Sequence, residues 1–276
     1  MSRLIELNPN LDLTAIAREF EAKGRLQVRD VLTEASAASI RALLDEATPW
    51  AMAWQTGATA PAQLLRAEQL AALREAERQG IVARAAADPD YGFAYHSYPL
   101  VTAYLERWKP GSAHEQLLEE LNDGQMLQFM RSVTGIGEIV KMDGQATLYT
   151  PGDFLRLHND AESERGRRVA YVLNLTKGDW RPEWGGYLNF YDEALDVEQG
   201  FRPRFNSLNL FRVPQWHGVG EVSASAPIAR YAITGWARDR YTDGTERGRG
   251  MIEKDKKRRR EIDLPPPVIF TFVDED

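Results

Sequence analysis

The stretch DFLRLHND, residues 153–160, decides how the chain reads. Apolar and polar residues alternate through it, which is the pattern of a half-buried β-strand. In a strand, residues two apart point to the same face. His158 and Asp160 therefore project side by side, with Phe154 and Arg156 on the same row. An imidazole beside a carboxylate is either a polar pair of the sheet or two-thirds of a metal site. The chain has four histidines, at 96, 114, 158 and 217.

Outward from this stretch, similar short runs are separated by turns. They are QATLYT (145–150), RRVAYVLNL (167–175), GGYLNFYD (185–192), SLNLFRVP (207–214), HGVGEV (217–222) and RYAITGWA (230–237). Evenly spaced strands without intervening helices predict an all-β barrel or double sheet, not alternating βαβ units. Before residue 140 the pattern is mostly helical. DLTAIAREFEAKG (12–24) spaces Ile16 and Phe20 at helical intervals and stops on Gly24. TEASAASIRALLDEA (33–47) starts on Thr33, and alanine-, glutamate- and arginine-rich segments fill 61–87 and 112–134. RLQVRDVL (25–32) reads as a short strand. The expected division is a helical portion over 1–139, a β core over 140–245 and a tail over 246–276.

Composition narrows the function classes. With 276 residues, 43% hydrophobic and 27% charged, the chain can bury a full core. The expected organisation is one large domain or a domain with a helical extension. No run of 18 apolar residues predicts a membrane span, and MSRLIELNPNLDL lacks the sections of a secretory signal, so a cytoplasmic protein is expected. The absence of cysteine excludes disulfides, thiolate metal sites and cysteine nucleophiles. A net charge of −7 argues against nucleic acid as a partner, and the basic run KDKKRRRE (254–261) reads as a solvated segment. No internal repeat and no glycine-rich phosphate loop is present.

His217 opens a later strand in the same β-rich half as His158 and Asp160. Two neutral imidazoles and one carboxylate with positions left open form the ligand set used for non-haem Fe(II). Thirteen residues further on, Arg230 heads the otherwise apolar strand RYAITGW. An arginine pointing inward there needs a carboxylate partner, either a ligand or one of the chain's 41 acidic residues.

Taken in order, LYTPGDFLRLHND, VAYVLNL, GGYLNFY, SLNLFRVPQWHGVGEV and RYAITGW resemble the 2-oxoglutarate- and Fe(II)-dependent dioxygenases, in their prolyl-hydroxylase-like branch. The resemblance covers residues 140–240. It implies a double-stranded β-helix, a jelly-roll barrel with supporting helices outside and an α-rich N-terminal half. It implies that His158, Asp160 and His217 bind iron, that Arg230 clasps the far carboxylate of 2-oxoglutarate, and that Tyr149 contacts the same co-substrate. Gly185 and Gly186 match the double-glycine turn before the strand whose Leu188 lines the pocket. Asn174 stands where many relatives carry a tyrosine that touches the co-substrate, and its amide can donate instead. The thirteen-residue spacing from His217 to Arg230 is longer than is usual in the family and implies a longer turn through 223–229. The chemistry implied is O2-dependent hydroxylation of an unactivated C–H bond with decarboxylation of 2-oxoglutarate to succinate. No catalytic residue beyond the metal site is required.

Around that core, Arg156, Arg212 and Trp216 are candidates for substrate contact, with Arg156 weighed against a structural ion pair. The insertion TKGDWRPEW (176–184) is placed at the rim. FAYHSYPL (93–100) reads as core packing or as a lid that carries Tyr95, His96 and Tyr98. His114 reads as an exposed helix-start residue, and Trp180, Trp184 and Trp236 read as packing anchors. The substrate is expected to be a polypeptide residue. A free amino acid or other small molecule read by Arg156 is the alternative, and a catalytically silent binding barrel or a cupin-type metal enzyme is the more distant one. The terminal LPPPVIFTFVDED is expected to be an edge strand or a partner-binding tail.

Overall fold

The alternating runs after residue 140 all form strands in the computed structural model, which describes residues 3–161, 166–239 and the backbone of 271–272. They are β5 (Lys141–Met142), β6 (Gln145–Tyr149), β7 (Phe154–His158), β8 (Arg167–Asn174), β9 (Leu188–Tyr191), β10 (Val197–Phe201), β11 (Ser207–Arg212), β12 (His217–Val219) and β13 (Arg230–Arg238). The first 139 residues hold α1 (Leu13–Lys23), α2 (Glu34–Ala42), α3 (Ala67–Ala72), α4 (Glu75–Ala87), α5 (Leu100–Leu105), α6 (Ala113–Leu121) and α7 (Gly124–Thr134). They also supply four strands: β1 (Arg25–Arg29), β2 (Ala51–Thr56), β3 (Gln63–Leu65) and β4 (Gly92–Tyr98). The expected helical portion is thus helical and stranded at once. Residues 61–87 do not form one long helix, because a strand and two shorter helices divide them.

The strands hydrogen-bond in the order β1-β11-β8-β13-β6-β4-β7-β12-β9-β10, every step antiparallel. One wall runs from β1 to β6, the other from β7 to β10, and β4 joins them by pairing with both β6 and β7. The result is a nearly closed jelly-roll barrel with helices packed outside. β4 is therefore a structural staple of the barrel, contributed from outside the 140–245 stretch. The tail, including the basic run at 254–261, lies outside the described residues except for β14 (Thr271–Phe272), which pairs parallel with β3.

Period-two alternation separates the two sides of the wall. Tyr171 and Leu173 of β8, Leu208 and Leu210 of β11 and Ile233 of β13 pack outward against Phe20, Ile40, Leu117 and other helix residues. Ala170 and Val172, Phe211 and Ala232 point into the barrel with Leu188 and Phe190. Full burial of a large apolar side chain stabilises by about 1.5–3 kcal/mol, so this outer layer fixes the helices on the sheet. α1 stops and α2 starts where the sequence says. Asp12, Thr33, Ser112 and Asp123 accept backbone N–H groups at their N-termini, and Gly24 and Gly135 end α1 and α7 in the left-handed conformation.

Candidate metal and co-substrate site

β12 lies between β7 and β9, and its first residue, His217, sits directly opposite His158. The Nδ1 of His158 donates to the Arg156 carbonyl at 2.9 Å, and the Nδ1 of His217 donates to the Gln215 carbonyl at 2.8 Å. With carbonyls as acceptors a proton must reside on each Nδ1, so in the neutral ring Nε2 is the nitrogen that carries the lone pair available to ligate. Each Nε2 lies 3.6 Å from an Asp160 oxygen, and one donor atom from each of the three residues falls within 4.8 Å of the others. Burial, and next the neighbouring His158, lower the His217 pKa to about 4, so its ring is neutral at pH 7. The three donors fit a divalent metal, and His158, Asp160 and His217 are the residues that would hold one.

A cavity of about 790 Å³ opens over this triad and runs to Arg230. Arg230 starts β13 directly opposite Tyr149 of β6. It is 2% exposed, and its Nε and Nη1 are buried without a hydrogen-bond partner. No carboxylate of the described residues pairs with it; the Tyr149 ring lies below it, 4.9 Å from centroid to guanidinium carbon. Burial lowers the Arg230 pKa, and Tyr149 partly offsets this. A buried cation that no described carboxylate pairs with is the complement of an anionic ligand's carboxylate. Tyr149 and Leu188 line the same cavity. At the turn into β9, Gly185 adopts φ +64, and a Cβ there would meet the Glu221 carbonyl at 2.0 Å. Only glycine lets the two backbones approach so closely.

Other anticipated residues go elsewhere. Arg156 does not share a row with His158. The β7–β12 register shifts between His217↔His158 and Val219↔Leu155, three residues of β7 facing two of β12. That bulge interrupts the alternation. Arg156 turns out of the cavity and donates to the Ala86 carbonyl near the end of α4. Asp160 is not in the strand at all. It follows the end of β7 with φ 57, a left-handed conformation that aspartate tolerates. Arg212 is exposed and lies over the Phe20 ring, away from the cavity. Asn174 follows Ala170 and Val172 on its row but does not line the cavity; its Nδ2 donates to the carbonyl and hydroxyl of Ser207. Trp216, 43% exposed, stands at the mouth.

The segment 93–100 divides its residues between three environments. Tyr95 lines the cavity and stacks on Tyr149 with centroids 5.0 Å apart, Tyr98 is buried in the helix-facing core, and His96 pairs with buried Asp153 at 3.1 Å. Phe93 of β4 and Tyr91 just before it extend this aromatic wall, with the Tyr91 centroid 6.1 Å from that of His158. The alternation of aromatics at 91, 93 and 95 is the signal that could have revealed the wall. Trp180 is an anchor as expected, buried with its indole N–H on the Gly185 carbonyl, whereas Trp236 lines the cavity.

His114 is buried rather than exposed. It packs on Tyr98 with centroids 4.4 Å apart and meets the Thr48 hydroxyl at 2.9 Å, because α6 turns this position inward. Burial lowers its pKa to about 4, below the usual 6.5. The folded chain therefore resists a proton that the unfolded chain accepts, so stability falls as pH drops from 6.5 towards 4. At about 1.4 kcal/mol per pKa unit, the loss reaches about 3 kcal/mol. His217 acts in the same direction in the metal-free protein. Urea unfolding of wild type and His114→Phe between pH 7 and 4 isolates the His114 share: the variant should lose less stability on acidification. Equal losses would contradict the assignment.

Residues 144–238 match the family model described as the 2OG-Fe(II) oxygenase superfamily. Prolyl 3-hydroxylase sudestada1 of Drosophila melanogaster is 27% identical over 122 residues, 41% of this chain and 22% of the relative. The chain thus matches about a fifth of the length of that curated relative. A prolyl-4-hydroxylase of Pseudomonas putida superposes with a TM-score of 0.52 at 22% identity, covering 83% of this chain and 99% of the other. A prolyl hydroxylase of Trichoplax adhaerens, solved with a peptide fragment of the hypoxia inducible factor oxygen degradation domain, gives 0.51 at 17% identity, covering 82% and 89%. At these identities the two structures establish the shared fold.

Proposed function

We propose, from the premise that residues 144–238 belong to the 2OG-Fe(II) oxygenase superfamily, that this chain is a 2-oxoglutarate-dependent dioxygenase that hydroxylates a residue within a polypeptide, with proline favoured. One observation carries the reading: a triad of metal-type donors and a buried arginine that no described carboxylate pairs with line the same cavity. His158, Asp160 and His217 would hold Fe(II), and Arg230 would bind the distal carboxylate of 2-oxoglutarate, with Tyr149 beneath it and Leu188 along the wall. Bound iron supplies O2 activation coupled to decarboxylation of 2-oxoglutarate to succinate. The protein's own work is to orient the co-substrate, keep the His217 imidazole neutral and exclude water with apolar walls such as Leu188, Phe211 and Val219.

Two observations support a polypeptide over a small acid. Arg156, the side chain that would have read a small substrate's carboxylate, turns to α4. The mouth instead presents an aromatic, Trp216, and Tyr91, Phe93 and Tyr95 line the same cavity, a surface suited to an apolar ring in an extended chain. A related fold was solved with a peptide bound. The test is succinate release with proline-containing peptides, free L-proline and other free amino acids. Peptide-stimulated release is expected. Strong coupled turnover of a free amino acid with none for any peptide would overturn the substrate class.

A further inference from the structure

Of the three donors, two are held rigidly and one is not held by its own strand. His158 and His217 face each other across a strand pair, and each ring is fixed by its Nδ1 bond. Asp160 lies beyond the end of β7, in a left-handed backbone conformation, so the sheet does not set its carboxylate angle. Its hold comes from elsewhere in the barrel. The Trp236 indole N–H donates to Asp160 Oδ2 at 2.9 Å, and the Arg167 guanidinium approaches Oδ1 at 3.8 Å. These two side chains also lie on one another, with the guanidinium carbon 3.7 Å from the Trp236 ring centroid.

We propose that Trp236 and Arg167 are positioning residues, a stacked pair that fixes the Asp160 carboxylate in the orientation required for metal binding. The proposal rests on the reading of the triad as a metal site. Trp236 is itself anchored. Its backbone N–H donates to Asp143 Oδ1 at 2.6 Å, and the other Asp143 oxygen takes buried Arg238 at 2.7 Å. The preceding Gly235 permits this approach, since a Cβ there would meet the Asp143 carbonyl at 2.3 Å. A chain of contacts thus runs from the buried Arg238–Asp143 pair through β13 to the indole and on to the one loop-borne ligand. Groups that orient a ligand in this way typically contribute about 10–100-fold in metal affinity. The Trp236 hydrogen bond and the Arg167 ion pair also divide the two carboxylate oxygens, so their loss should change how the carboxylate meets a metal as well as how tightly.

The experiment is anaerobic titration of the full chain with Co(II), read by calorimetry and by the visible Co(II) spectrum, in wild type, Trp236→Phe and Arg167→Gln. Phenylalanine keeps an aromatic ring on the wall while removing the indole N–H donor. Trp236→Phe should bind Co(II) about 10–100-fold more weakly, with an altered spectrum and wild-type circular dichroism. 2-Oxoglutarate affinity at saturating Co(II) should hold. Arg167→Gln should weaken binding in the same direction by several-fold, and it decides the matter alone if Trp236→Phe does not fold. Unchanged affinity and spectrum in the folded variants would overturn the pair's role while leaving the triad intact. A wild-type chain that takes up no Co(II) would overturn the metal reading itself, and this proposal with it.

Discussion

Replacing Arg230 by methionine should weaken 2-oxoglutarate binding by about two to four orders of magnitude and at the same time raise the melting temperature of the ligand-free protein. The first effect follows from leaving a desolvated carboxylate without its partner, which costs about 3–5 kcal/mol, at about 1.4 kcal/mol per tenfold. The second follows from the state of the free protein. Arg230 is 2% exposed, with two guanidinium nitrogens unbonded, and a buried uncompensated charge is destabilising until its ligand arrives. Methionine fills much of the same volume without charge. Calorimetric titration and thermal unfolding read the two halves separately. A variant that keeps its 2-oxoglutarate affinity would move the anchor to another residue. One that binds poorly but melts lower would show that Arg230 serves packing as well as binding.

His217→Ala should abolish metal uptake, with a loss beyond the 10–100-fold typical of residues one step further out. His217 is 4% exposed and packed between the His158 ring and Phe211, with centroids 4.1 and 4.6 Å away, so no water-exposed side chain stands ready to replace it. The fold should survive, because the alanine keeps its place in β12 and the outer helices pack on the opposite side of the sheet. Equilibrium dialysis against Fe(II) or Co(II) with circular dichroism checks both points. Retention of stoichiometric metal by a folded His217→Ala protein would rule out this triad.

Much of this was legible because period-two alternation is a local property. Seven of the nine strands from β5 to β13 announce themselves, β5 and β10 being the exceptions, and the helix caps at Thr33 and Gly24 stand where short-range chemistry puts them. What escaped depends on contacts between distant residues. The β4 stretch pairs with strands about 50 and 60 residues later, and nothing in FAYHSYPL says which they are. One extra residue in β7 is invisible to a pattern that assumes strict alternation, yet it reverses where Arg156 points. Trp236 meets Asp160 across 76 residues, so only the closed barrel reveals the contact. His114 looked like a solvent-facing helix start because its partners, Tyr98 and Thr48, come from a strand and a loop well before it.

The most direct test of the account is spectroscopic. Fe(II) is added anaerobically to the metal-free protein, followed by 2-oxoglutarate, while the visible absorption is recorded. If the triad binds iron and Arg230 orients the 2-oxo acid to chelate it, a charge-transfer band should appear only after the second addition. The band should be lost in His217→Ala and, at the same co-substrate concentration, strongly weakened in Arg230→Met. A wild-type protein that stays colourless at saturating Fe(II) and 2-oxoglutarate would contradict the central claim.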